Sequence, residues 1–263
     1  MLSYAAVMLA AFLAAALTMY SGFGLGTVLL PVFALFLPVE AAVLSTALVH
    51  GANNVFKVSL LGKHADRSVV VRFGLPAVAG AVLGALSLGW FAGSGLGVDI
   101  DVNEETVAEI TPVKFVVGLL MVGFAFFELL PRFRKLAFDR RYLALGGALS
   151  GFFGGLSGHQ GALRSAFLAK CGLEAQAFVG SNAVIGFLVD LTRIMVYLGL
   201  FAAAGSSMGA FNAWPLVIAG SLAAFAGVLL GKRFLHNTTM SSIQLLVGVL
   251  LFGVGVALIT GLL

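Results

Sequence analysis

Apolar residues run along the chain in eight long stretches, at about 3–36, 39–61, 69–92, 113–130, 142–170, 174–204, 212–231 and 242–262, with short polar connections between them. Six of these have the length of a single membrane crossing, for which about 20 residues are needed. The other two are interrupted. Within 3–36 the chain reads Ser21-Gly22-Phe23-Gly24-Leu25-Gly26, and within 142–170 it reads Gly154-Gly155-Leu156-Ser157-Gly158-His159-Gln160-Gly161. Each is predicted to be two helices joined by a broken turn. At a rise of about 1.5 Å per residue, each arm of 142–170 reaches only about 20 Å, short of a hydrocarbon core of about 30 Å. That length predicts a re-entrant hairpin, which enters and leaves the membrane by one face.

Composition fixes the class. Of 263 residues, 60% are hydrophobic and 10% charged, whereas soluble domains carry about 25% charged residues. The fold class expected is therefore all-α, a polytopic helical membrane protein. No Lys or Arg precedes Lys57, so the first stretch lacks the basic start of a signal peptide and is read as a retained membrane segment. The one cysteine, Cys171, excludes an internal disulfide framework and is read as a packing residue.

Charge gives the orientation. Lys57, Lys63, Arg67 and Arg72 follow or end the 39–61 span, and Arg132, Arg134, Lys135, Arg140 and Arg141 fill 131–141; both clusters should be cytoplasmic. Asp99, Asp101, Glu104, Glu105 and Glu109 mark an external loop between them, and Lys232 with Arg233 marks a last cytoplasmic one. All basic loops share a side only if 142–170 does not cross. Each half is then one Gly-broken re-entrant hairpin plus three transmembrane helices, and the odd number of crossings inverts the second half relative to the first. The expected units are a first repeat over 1–130, a basic linker over 131–141 and a second repeat over 142–263. Residues 36–47 echo 171–182, and Gly80-xxx-Gly84 parallels Gly227-xxx-Gly231. A small-xxx-small pair is by itself ordinary helix packing.

Two broken hairpins entering from opposite faces would bring their tips together near the midplane. The arms beginning around Gly24, Gly26 and Thr27, and around Gly158 and Gly161, would then aim free backbone N–H groups and positive helix ends at the space between them, as inverted-repeat transporters do for an anionic group. Arg164, one turn past the second tip, offers a planar, bidentate charge to an oxyanion; the competing reading is a structural arginine reaching the interface or a carboxylate. Ser157, His159 and Gln160 are either donors to the same anion or partners within the tip. A second polar stripe, His50, Asn53, Asn54 and Lys57, lies along the 39–61 span, and Ser181, Asn182, Asp190 and Arg193 along the equivalent span. Asn53, Asn54 and Asn182 are further candidates for the anion, while Asp190 and Arg193 are expected to form an intrahelical ion pair. His50 and His159 are the side chains near the site able to exchange protons near neutral pH. Trp90, Trp214 and Tyr197 are expected in the interfacial belt.

The doubled pattern of a Gly-rich break, a short apolar arm and Glu-Ala near the start of the next span resembles the TauE/SafE sulfite exporter family, also called the toluene sulfonate uptake permease family. The resemblance covers essentially the whole chain. It implies a multi-pass permease of a bacterial inner membrane, carrying sulfite, a sulfonate or another small sulfur-containing anion. The second break departs from the pattern, with Ser-Gly-His-Gln-Gly and no proline. The readings that compete are a passive small-anion channel and, from Gly155-Leu156-Ser157-Gly158, an intramembrane serine protease. In that last reading His159, two residues from Ser157, should face poorly for a dyad. No clustered metal ligands or nucleotide loop occur, so no metal and no cofactor are expected. Partners are the anion and membrane lipid, with no nucleic acid; a homodimer is a candidate assembly.

Overall fold

A computed structural model describes residues 1–21, 24–102, 105–134, 136–203, 212–234 and 240–263. Gly22, Phe23, Glu104 and Lys135 thus lie outside the described residues. The helices are α1 (Leu2–Ser21), α2 (Leu25–Ala34), α3 (Val39–Leu61), α4 (Arg67–Gly93), α5 (Pro112–Leu129), α6 (Pro131–Arg134), α7 (Leu143–Ser157), α8 (Gly161–Leu168), α9 (Ala175–Ala203), α10 (Trp214–Phe234) and α11 (Met240–Ile259). Among the described residues, α4, α5, α9 and the 214–231 part of α10 are long and apolar enough to cross a membrane by length and composition alone. This is a polytopic helical membrane protein.

Both interrupted stretches are broken where the glycines stand. The first break separates α1 from α2, whose N-cap is Gly24. The second follows α7, whose C-cap Gly158 has φ 86°, a left-handed conformation that glycine alone adopts without a Cβ penalty. The arms are unequal, however. The 15 residues of α7 and 8 of α8 give about 22 and 12 Å rather than two equal arms. The 20 residues of α1 reach about 30 Å, the thickness of the hydrocarbon core, so length does not by itself hold that arm to half the membrane.

Helix starts follow local chemistry. Asp66 caps α4, its Oδ1 accepting from Val69 N–H at 2.9 Å, and Thr111 caps α5, accepting from Lys114 N–H at 3.2 Å ahead of Pro112 in the first turn. The acidic segment, expected outside, is not featureless. Val98–Val102 and Glu105–Ile110 form an antiparallel hairpin, β1 and β2, with Val98 opposite Ile110 and Asp99 opposite Glu109. Its alternation of apolar and acidic residues, Val-Asp-Ile-Asp-Val, is the period of a strand.

Long helices pack in matched pairs: α4 along α7, α1 along α10, α3 against α9 and α5 against α11. Small residues permit the closest of these. A Cβ on Gly80 or Gly84 would strike the α7 backbone at Ala148 or Phe152, and one on Gly227 or Gly231 would strike the α1 backbone at Phe12 or Ala16. The two echoing glycine pairs therefore do the same work, each seating the first hairpin arm of one half on the second span of the other. Lys232 and Arg233 fall in the last turn of α10 rather than in a loop.

Candidate functional site

The buried polar residues collect where α3 and α9 face each other beside the second break. His50, Asn53, Asn54, Lys57, Ser157, His159, Gln160, Arg164, Asn182, Asp190 and Arg193 are all buried. In a membrane helix each such group is costly unless satisfied by a partner.

Asp190 is the hub. One of its oxygens, Oδ1, accepts from Arg193 Nε at 3.0 Å and Nη2 at 2.8 Å, and from Gln160 Nε2 at 3.0 Å. The other, Oδ2, accepts from Asn54 Nδ2 at 2.8 Å and lies 2.6 Å from His50 Nδ1. A carboxylate held by a guanidinium is an acceptor only, so the proton of that short contact belongs to His50 Nδ1. The 3.1 Å separation between Asn54 Nδ2 and the same nitrogen is then two donors converging on one oxygen. The expected Asp190–Arg193 pair is present, but it is embedded in contacts from three elements rather than confined to its helix.

Arg164 is fixed by two amides. Its Nε donates to Asn182 Oδ1 and its Nη1 to Gln160 Oε1, each at 2.7 Å. Both amides are oriented from their other ends, Gln160 by Asp190 and Asn182 by Phe178 O at 3.1 Å. The guanidinium is therefore positioned without being neutralised. Gly186 makes room for the approach: a Cβ there would lie 2.6 Å from Asn54 Nδ2 and 3.1 Å from Arg164 Nη1.

The two breaks touch. A Cβ on Gly26 would lie 3.1 Å from Gly158 O, with His50 Cδ2 at 3.8 Å. So the start of α2, the tip between α7 and α8, and the edge of His50 turned away from Asp190 meet at one place. Thr27 is buried in the first turn of α2. Arg193 Nη1 and the Tyr197 hydroxyl donate to the carbonyls of Gly154 and Gly155, tying the last turn of α7 to α9. Several buried polar atoms have no hydrogen-bond partner among the described residues: Asn53 Oδ1 and Nδ2, Ser45 Oγ, Thr46 Oγ1 and His159 Nε2.

A match to the family model of Sulfite exporter TauE/SafE covers residues 7–258. The chain belongs to the TauE/SafE sulfite exporter family. No curated protein and no solved structure matches it. Membership makes the protein a membrane transporter, and the buried polar cluster lies inside the matched range.

Two expectations change and one open choice closes. Tyr197 is not a belt residue; it is 4% exposed, whereas Trp90 is 72% and Trp214 39% exposed. Its hydroxyl found a carbonyl at the break, and its ring lines an apolar cavity of about 460 Å³ with Leu88, Leu200, Phe201 and Glu40. Of the two readings open for Lys57, the polar face of α3 and the start of the cytoplasmic cluster, the structure has it buried on the polar face. Ser157 and His159 do not face apart, since Ser157 Oγ lies 2.9 Å from His159 Nδ1. In a continuing helix they would; the left-handed Gly158 folds the chain back and brings them together. The pair is sealed, with the serine also donating to Phe153 O at 3.2 Å and the imidazole stacked on Phe124 at 5.0 Å. Among the residues set aside as structural, Asp190 and Arg193 carry the most contacts. An ionisable residue within a span is a site candidate by default, and that was the signal for them.

Proposed function

We propose that the protein carries a small sulfur-containing anion, such as sulfite or a sulfonate, through the place where its two broken hairpins meet. One observation carries the reading: Arg164, charged and buried, is held by Gln160 and Asn182 beside that meeting point with neutral partners only. A positioned guanidinium inside a membrane is costly without an anion to answer it, and its planar fork matches two oxygens of an oxyanion. Family membership supports the class of substrate. In this reading the two halves are inverted repeats, Gly24, Gly26 and Thr27 approach the anion from one hairpin and Gly158 to Gly161 from the other, and Asn54 and Asn182 complete the wall. The anion is drawn from water onto Arg164, and movement of one hairpin against the other carries it to the opposite side.

A thermal-shift screen of the purified protein tests the reading against sulfite, sulfate, thiosulfate, short sulfonates and carboxylates. A ligand at one hundred times its dissociation constant stabilises by about 2.7 kcal/mol, enough for a clear rise in midpoint. Stabilisation by sulfur oxyanions and not by carboxylates is the expected result. No stabilisation by any sulfur oxyanion overturns the proposal.

A further inference from the structure

The charges at the break do not balance, and the size of the imbalance is specific. Asp190 is answered by Arg193, whose Nε and Nη2 both donate to Oδ1 at 3.0 and 2.8 Å. That pair is neutral as a unit, counting His50 as a neutral imidazole. Two cations are left over, Arg164 at 3% and Lys57 at 8% exposure. Neither has a carboxylate within ion-pair distance among the described residues.

The helix register puts these two cations on one level. α3 and α9 run antiparallel, with His50 against Asp190, Asn54 against Gly186 and Leu61 against Gly180. Lys57, one turn past Asn54, therefore comes level with Ala183, the neighbour of Asn182, which holds Arg164 Nε at 2.7 Å. Two like charges buried together repel and have each lost their hydration, a cost of several kcal/mol per ion. In the same turn of α3, Asn53 is 1% exposed and has neither amide atom partnered among the described residues. The other buried carboxylate, Glu128, stands on α5 against Gly248 of α11.

We infer that Lys57 and Arg164 together form a site for a doubly charged oxyanion, so that the substrate is taken as a dianion, as sulfite, sulfate or thiosulfate, in preference to a singly charged sulfonate. The inference rests on the anion-carrying function proposed above and narrows it. A monoanion would leave one buried cation unanswered, whereas a dianion closes the charge count. Arg164 supplies the fork, and Lys57 supplies a point charge on a flexible stem that follows the second charged oxygen.

Sulfate and methanesulfonate test it, because they share a tetrahedral head and differ by one charge and a methyl group. Binding of each to the full-length protein in nanodiscs is measured by calorimetry at constant ionic strength. Wild-type protein should bind sulfate at least about tenfold tighter than methanesulfonate, a difference of about 1.4 kcal/mol. Lys57→Met should weaken sulfate by about tenfold or more and leave methanesulfonate within about threefold, closing the gap; Lys57→Gln provides the same comparison should the methionine variant fail to fold. Equal wild-type affinities, or equal weakening of both anions in the variant, overturn the dianion site while leaving the transport reading intact. Failure of both anions and of sulfite to bind wild-type protein overturns both.

Discussion

Arg164 and Asp190 are the two side chains whose loss separates binding from folding. Arg164→Ala removes a charge-assisted contact of about 1.5–3 kcal/mol, so anion affinity should fall by about ten- to a hundredfold. Arg164→Lys should also bind weakly, because an ammonium cannot satisfy Asn182, Gln160 and an oxyanion through one plane. Both are read by titration of the anion that stabilises wild-type protein. Asp190→Asn is instead a folding lesion. It leaves Arg193 buried without its counter-charge, a loss of about 3–5 kcal/mol, while the paired change Asp190→Leu with Arg193→Met should be far less destabilising. Melting temperatures of the single and double variants check this, and equal losses would contradict it. Much of this cluster was legible in the sequence. Arg164 and Gln160 stood out as polar residues at a glycine break in an apolar run, and Asn54 and Asn182 by their place on the polar stripes of two spans. The role of Asp190 was hidden for a physical reason: it stands three positions from Arg193, so the local pair satisfied the pattern, and no spacing rule shows a carboxylate shared by His50, Asn54 and Gln160 from other elements. Tyr197 was misplaced because position near a segment end says nothing of which way a ring turns.

The broken hairpins are the elements on which the site depends, and glycine acts at them in distinguishable ways. Gly158 has φ 86° and a Cβ there would lie 2.8 Å from Arg193 Nη1. Gly158→Ala should therefore cost about 1–2 kcal/mol in backbone strain alone and displace the Arg193 guanidinium. Gly93, with nothing within 4 Å of a Cβ, is the control, and Gly93→Ala should be nearly neutral. Gly84→Leu and Gly151→Leu should part α4 from α7 and fail to fold, since a Cβ at either would overlap backbone of the other helix. Chemical unfolding compares the two alanine variants, and the two leucine variants should yield no folded protein to unfold; a Gly158→Ala protein as stable as Gly93→Ala would show that the turn does not need glycine. The breaks were legible because glycine runs interrupt an apolar pattern conspicuously. The inequality of their arms was not, since a hydrophobic run carries no mark of where within it a helix ends. Nor was the contact of Ser157 with His159, which exists only because Gly158 reverses the chain between them.

For the whole molecule, the decisive matters are orientation and flux. In the inverted arrangement the second hairpin returns to the side it came from. Single cysteines placed at the exposed positions Arg140 and Lys170, in a Cys171→Ser background, should then both label from the cytoplasmic side, and one at Asp99 from outside; labelling of Arg140 and Lys170 from opposite sides would make 142–170 a crossing element. Transport of an anion also works with or against a membrane potential worth about 2.3 kcal/mol per charge per 100 mV, so uptake needs a co-transported cation and export does not. If the protein imports, the proton is expected to pass through His50, which faces both Asp190 and the meeting point of the breaks, or through His159; uptake should then follow an imposed pH gradient and lose that response in His50→Gln or His159→Gln. The polytopic helical class followed from composition and the apolar spans, whereas the β1–β2 hairpin and the matched helix pairs belong to tertiary structure that no single stretch announces. The central claim, that a sulfur oxyanion passes through the buried site beside Arg164, is tested most directly by the flux of radiolabelled sulfite into proteoliposomes. Saturable flux that exceeds empty liposomes and falls at least about tenfold in a folded Arg164→Ala protein is the predicted result; flux unchanged by that substitution, or absent from wild-type protein under every imposed gradient, would contradict it.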